Sequence, residues 1–325
     1  MIIKRKNYKA FGLTISSEIQ LPELQVSTEQ VNKDKTVEIA IEDLTEKWNE
    51  VSANQKHIVV TEQFVMMKIS NSAIFCIEKG RKIIVSPLEK SDESAIRLYL
   101  LGSCMGIILM QRKILPLHGS GVVINGKAYA FIGDSGAGKS TLASAFLQRG
   151  HQLVTDDVIA VSLSQKGQPF VTPAYPQQKL WQESLDAFGL ENTNYRPIYD
   201  RETKYSVPVV SKFYEKPLPL AGLFELVKTE EGIVQINRIE KLERFRTLFH
   251  HTYRNFLIPR LDLMEWHFST SVQLLNYVSM FQVKRTTAGF TANDLVSAII
   301  DVINEEEKTN EKHSNDFTQL HSYAK

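Results

Sequence analysis

The chain has 325 residues, 43% hydrophobic and 23% charged, which supplies core for about two domains and excludes a disordered or fibrous protein. Its 38 Lys and Arg against 37 Asp and Glu leave a net charge of +1, so no overall basic field gathers nucleic acid or an anionic membrane. Two cysteines, Cys76 and Cys104, supply neither a disulfide framework nor a zinc site and read as reduced thiols.

The opening MIIKRKNYKAFG has no apolar segment of signal-peptide length, so a cytoplasmic location is expected. Residues 1–90 read as a β-rich domain. VEIAIEDL, HIVVTE, FVMMKI, AIFCIE and KIIVSPL are short β-branched runs, and the polar STEQVNKDKT before them reads as a loop. A second domain, of α/β character, is expected over 91–304. It starts with SDESAIRLYLLGSCMGIILMQRK, a capped helix apolar on all sides and therefore buried. Its uninterrupted apolar stretch, Tyr99 to Met110, is about twelve residues, short of the roughly 20 needed to span a bilayer.

GVVI and KAYAFIG flank Asn125-Gly126, a strong hairpin signal, and the second strand runs straight into GDSGAGKST. The helix TLASAFLQR follows, ended by Gly150, then the strands HQLVT and VIAVSL on either side of Asp156-Asp157. KLWQESLDAFG reads as a helix, YSVPVV, LAGLFELV and GIVQINRI as strands, and two or three helices reach Asn304. Residues 305–325 are polar and charged and read as a mobile tail. There is no internal repeat.

Gly133-Asp134-Ser135-Gly136-Ala137-Gly138-Lys139-Ser140, followed by Thr141, fits GxxxxGK[ST] between a strand and a helix. Glycines let successive N–H groups turn onto phosphates, and the helix starting near Lys139 adds its positive dipole end. Lys139 offers a mobile charge to the β- and γ-phosphates, and Ser140 a hydroxyl ligand for Mg²⁺. The pattern implies a nucleoside-triphosphate site. Asp156 and Asp157 stand 17 and 18 residues after Lys139, where adjacent acids can divide labour between metal and base. His118 opens the hairpin that feeds the loop. From the residues alone it is either a packed histidine or a partner of the transferring group.

His118, GDSGAGKST and RGHQLVTDD, at these separations, resemble the core of the HPr kinase/phosphorylase-like proteins, P-loop serine kinases related in fold to phosphoenolpyruvate carboxykinase. The resemblance implies ATP and Mg²⁺ as cofactors, Asp157 as general base, Asp156 with Ser140 on the metal side, His118 as a third active-site group, and a ring-like homo-oligomer, often a hexamer. The E-x-R-G-x-G signature that bifunctional members carry after the aspartates is replaced here by TPAYPQQKLWQESLDAFG. That stretch and FGLTISSEIQLPEL look like the divergent kinases of lasso-peptide biosynthesis, which phosphorylate the C-terminal serine of a ribosomal precursor peptide. The β-rich region would then serve peptide docking.

A peptide or protein serine kinase, HPr-type kinases included, therefore stands beside a small-molecule kinase or carboxykinase-like enzyme on the same core. A nucleotide switch is disfavoured, because no [NT]-K-x-D motif follows the P-loop and LSGGQ is absent. Lys204, Arg254, Arg260 and Arg285 are either surface charges or anion contacts. His250-His251 reads as helix surface without a metal partner, and Trp181 and Trp266 as core residues of helices.

Overall fold

The structure, a computed structural model, describes residues 5–322 apart from 31, 54, 56, 200, 231–233, 287 and 288, with side chains described through 309 apart from 201 and 202. It is a mixed α/β protein built on two large sheets and a small one.

The five β-branched runs all form strands, joined by a hairpin, Lys6–Ala10 with Leu13–Ser17, and by a short edge strand, Gln25–Val26. From edge to edge the first sheet runs Gln25–Val26, Lys6–Ala10, Leu13–Ser17, Thr36–Ile41, Lys82–Pro87, Ala73–Glu78, Phe64–Lys68, Ile58–Val60. Both faces are covered, and the period-2 alternation decides which residue goes where. Ile74, Cys76 and Ile84 pack under Leu44 and Trp48 around the helix Thr45–Ser52. Phe75, Ile77, Ile83 and Val85 pack on the other side against Leu100, Cys104, Ile107 and Ile108. Burial pushes the Cys76 thiol up to about 12 and raises that of Cys104 as well, so both are inert packing groups.

Those last contacts come from a continuous helical segment, Glu93–Gln111, capped by the Asp92 carboxylate, which accepts from the Ser94 and Ala95 N–H groups. A π-turn, Leu100–Cys104, lies in its middle. The segment is longer than its strictly apolar stretch suggests, and by length and composition alone it would pass for a membrane span. However, 72% of its most apolar 18-residue window is buried inside the protein, as a core helix joining the two large sheets.

The second sheet runs Lys127–Gly133, Leu115–Ile124, Val158–Leu163, Pro169–Thr172, Leu218–Thr229, Ser279–Thr286, Gln235–Arg238, with Gln152–Thr155 also on Leu115–Ile124. Lys127–Gly133 additionally pairs in parallel with Leu218–Thr229, which closes the first five strands on themselves. Ala128, Ala130 and Ile132 point into the closed core with Leu117, Ile159, Val171 and Leu223. The alternate residues Tyr129 and Phe131 point outward to the helices Lys139–Gln148 and Ala292–Ser322. Phe131 stacks on Phe146 with centroids 5.2 Å apart. Asn125 and Gly126, both at positive φ, make the expected hairpin turn.

Where the strands bearing the site cross, there is no room for a side chain. A Cβ on Gly119 would sit 2.2 Å from the Phe131 carbonyl oxygen, on the strand paired with it. Gly119→Ala should therefore lower stability by about 1–3 kcal/mol or more, read as a shift of the denaturation midpoint.

Three expectations change. KLWQESLDAFG is not one helix: Gln177–Trp181 is a strand pairing with Arg201–Pro208, and only Gln182–Ala187 is helical. Ser279–Thr286 is a strand between Leu218–Thr229 and Gln235–Arg238, in a region expected to hold only helices. The last helix continues past Asn304 to Ser322, and its next turns are pinned by Arg238–Glu306 at 2.7 Å and Lys127–Glu307 at 2.8 Å. Side chains of the expected mobile tail from 310 onward, and residues 323–325, lie outside the described residues.

Of the tryptophans, Trp266, in the helix Met264–Leu275, packs against the core as expected. Beside it, His267 is buried, its Nε2–H donating to Thr252 Oγ1 at 2.9 Å while that hydroxyl donates to the Leu248 carbonyl. Burial pushes the imidazole down to about 4, so it folds neutral. Its contribution is complete above the ordinary histidine range near 6.5 and is lost as pH falls toward 4, about 3 kcal/mol at the acid end. Chemical denaturation at pH 7 and pH 5 should show stability falling, by a smaller amount in His267→Gln.

Candidate active site

The closing strand Lys127–Gly133 delivers the glycine loop to the rim of a cavity of about 900 Å³. Gly133 has φ +145°, and a Cβ there would meet the Leu226 carbonyl oxygen at 2.6 Å. Gly138, at φ +102°, is the N-cap of the helix Lys139–Gln148. The loop thus has the two features a triphosphate needs, inward backbone at positions only glycine takes and a helix N-terminus behind it. Lys139 is buried, and its Nζ donates to the Gly133 and Asp134 carbonyls at 2.8 and 2.9 Å. Burial pushes the ammonium below its ordinary value, while Asp156 and Asp157 work against that. The lysine rests on acceptors that a phosphate oxygen can replace.

Asp156 and Asp157 sit at the junction of Gln152–Thr155 and Val158–Leu163 and face different partners. Asp156 is buried at 4% exposure; its Oδ1 accepts from the Ser140 hydroxyl at 2.9 Å and from Ser120 Oγ, its Oδ2 from the Lys179 N–H at 2.8 Å. Burial raises this carboxyl, and the donors only partly offset it. A divalent cation would reverse that balance, and a serine hydroxyl beside a buried carboxylate is a donor set that suits Mg²⁺.

Asp157 has a left-handed backbone, φ +76°, strained for a non-glycine residue. Burial alone would raise its carboxyl, but Lys179 Nζ at 2.6 Å and His118 Nδ1 at 3.7 Å hold it well below the usual carboxylate range. The same pair raises Lys179 against the effect of its own burial. His118 Nδ1–H donates to the Asp157 carbonyl at 3.1 Å, leaving Nε2 as the basic nitrogen. Burial lowers the His118 imidazole, and Asp157 opposes this.

The structure therefore brings His118, the loop residues Gly133 to Thr141, Asp156 and Asp157 together, all but Ala137 lining the cavity wall. Of the four cations singled out, Lys204, Arg254 and Arg285 also line it, and Arg260 instead stacks on Phe256 at 5.7 Å. Arg285 is tied to the glycine loop, its Nε donating to the Ala137 carbonyl at 2.6 Å. Arg254 lies by the core helix, its Nη2 donating to Ser103 Oγ at 2.8 Å.

Trp181 is not a helix core residue. It stands on a strand at the cavity wall with Lys204 Nζ 5.3 Å over its ring. His250 and His251 are not bare helix surface either: both line the cavity, His250 against Asp134 at 3.2 Å and His251 buried against Glu225 at 2.9 Å. Sequence reasoning missed Lys179, Ser120 and Glu225. Lys179 was visible only as one letter of KLW, because the stretch reads as a helix until its strand partner is known.

Comparison with known proteins bears on the same segment. Residues 111–196 match the family model of the HPr Serine kinase C-terminal domain. An HPr kinase/phosphorylase of Mycoplasmopsis pulmonis is 39% identical over 64 residues, covering 19% of this chain and 21% of that protein. One from Burkholderia lata is 33% identical over 165 residues, covering 50% of this chain and 47% of that protein. The chain thus spans between a fifth and a half of the length of these relatives. A solved structure, the Hpr(Ser) kinase/phosphatase from Coxiella burnetii, aligns with a TM-score of 0.32 at 14% identity, covering 59% of this chain and 98% of that one. Across the segment that carries His118, the glycine loop and the aspartate pair, the chain is HPr kinase-like.

Proposed function

We propose that the chain is an ATP-dependent serine kinase whose acceptor is the C-terminal serine of a ribosomally made precursor peptide of the lasso-peptide kind. The observation that carries the kinase reading is the unlike surroundings of two adjacent carboxylates at one phosphate cradle. Asp156 accepts from Ser140 and is buried, whereas Asp157 pairs with Lys179 and His118 and is more exposed, which supports a metal role for the first and a base role for the second. Bound Mg·ATP supplies the phosphoryl group and a leaving ADP. Backbone N–H groups of Gly133 to Ser140 and Lys139 Nζ would hold the phosphates, and Ser140 with Asp156 would hold the metal. Asp157 orients the serine hydroxyl and takes its proton as the Oγ–P bond forms. A carboxylate of low basicity suits this task, because positioning dominates in a loose transition state and the hydroxyl needs little prior deprotonation. His118, hydrogen-bonded to the Asp157 backbone, fixes that residue's strained conformation.

The peptide acceptor is supported by FGLTISSEIQLPEL, by the P-x-x-P-x-x-K-L-W stretch and by a β-rich domain, Lys6–Pro87, additional to the nucleotide site. The same reading carries a cytoplasmic location and a homo-oligomer, hexameric by resemblance. The test is mass spectrometry of precursor peptides with the last serine intact, changed to alanine, or extended by two residues, each incubated with the chain and Mg·ATP. One added phosphoryl group on the intact peptide alone is the expected result. Equal labelling of all three removes the C-terminal assignment, and labelling of HPr alone replaces it with an HPr-type kinase.

A further inference from the structure

Among the described residues, three metal-competent side chains converge at the leading edge of the glycine loop, away from the aspartate pair. Asp134 is the loop's second residue, His250 ends the helix Lys241–His250, and His251 follows it. One donor atom from each lies within 4.8 Å of the other two, and His250 Nε2 is 3.2 Å from Asp134 Oδ1. His251 is fixed from behind. Its Nε2 is 2.9 Å from Glu225 Oε1, and the other oxygen of Glu225 accepts from Gln282 Nε2 at 2.9 Å. A carboxylate on one ring nitrogen sets the ring's orientation and leaves Nδ1 as the nitrogen to ligate, the arrangement found behind histidine ligands of metals. The helix C-terminus adds its negative end to the same place.

We propose that Asp134, His250 and His251 form a site for a transition-metal ion of the Zn²⁺ class, with Glu225 as the positioning residue behind His251. Two imidazoles and one carboxylate favour Zn²⁺, Co²⁺ or Ni²⁺ over Mg²⁺ and Ca²⁺, which prefer oxygen alone. Bonds of about 2.0–2.1 Å set tetrahedral donors about 3.4 Å apart; Asp134 and His250 already stand that close, at 3.2 Å, so only the separations to His251, within 4.8 Å, have to shorten. His250 and Asp134 are exposed and reach that by side-chain rotation, while buried His251 stays in place. All three line the cavity, so the remaining coordination positions open into it. Because the Asp134 carbonyl also accepts from Lys139 Nζ, the ion would tie the loop's leading edge to the helix Lys241–His250. The site stands independently of the kinase reading.

The probe is Co²⁺, titrated into the full chain in excess Mg²⁺, followed by its visible absorption and displaced by Zn²⁺. One equivalent is expected to bind and to be displaced. His250→Ala, at an exposed position that spares folding, should weaken the affinity at least about 10-fold, and Glu225→Gln by about 10–100-fold. Asp156→Asn should leave it unchanged. The proposal is overturned if the wild-type chain develops no Co²⁺ band, or if His250→Ala binds as wild type. It is equally overturned if Asp156→Asn abolishes binding while His250→Ala keeps it, since the ion then sits at the Ser140–Asp156 pair.

Discussion

Lys139→Ala should lower phosphoryl transfer by about three orders of magnitude while the chain stays folded. Removing one preorganised donor from a developing anion costs about 10²–10³ in rate, and removing a full charge from a transferring phosphoryl group costs more. The fold should tolerate the change for a reason visible at the site. Lys139 hydrogen-bonds to the carbonyls of Gly133 and Asp134, residues that line the cavity, and burial already disfavours its charge. Single-turnover transfer and a thermal melt, run on the same preparation, separate the two effects. A rate within tenfold of wild type would remove the loop from the chemistry.

Asp157→Asn should abolish transfer by about 10²–10⁴ with nucleotide affinity nearly unchanged, because the loop and the Ser140–Asp156 contact remain. It should also destabilise the protein. Lys179 is nearly buried, with 12% of its side chain exposed, and would be left as an unpaired charge, a change that typically costs about 3–5 kcal/mol. The pair Asp157→Asn with Lys179→Met should therefore recover the melting temperature but not the transfer. Recovery of both would make Asp157 structural rather than chemical. Asp156→Asn should act differently, raising the Mg²⁺ concentration needed before anything else.

The parts of this site that the sequence makes legible are those written in consecutive residues. The glycine loop, the hairpin that feeds it and the aspartates behind HQLVT all depend on local backbone requirements, and each lies where the spacing places it. Five of the eight strands of the first sheet are legible for the same reason: Ile74, Cys76 and Ile84 alternate with Phe75, Ile77 and Ile83 on opposite faces.

What is not legible comes from distant pairing. Ser279–Thr286, SMFQVKRT, mixes polar and apolar residues and becomes a strand because Leu218–Thr229 and Gln235–Arg238 flank it. Gln177–Trp181 becomes a strand by pairing with Arg201–Pro208, and that turn of events sends Lys179 to Asp157 and Trp181 to the cavity. Glu225 meets His251 across two elements 26 residues apart, a distance at which no motif speaks.

The most direct measurement is ³¹P NMR of the full chain with Mg·ATP and a peptide ending in serine, run beside Asp157→Asn. A phosphoserine resonance that grows with the wild-type chain and is absent with the variant is the expected result. Inorganic phosphate alone, released at the same rate by both proteins, would contradict a serine kinase centred on Asp157.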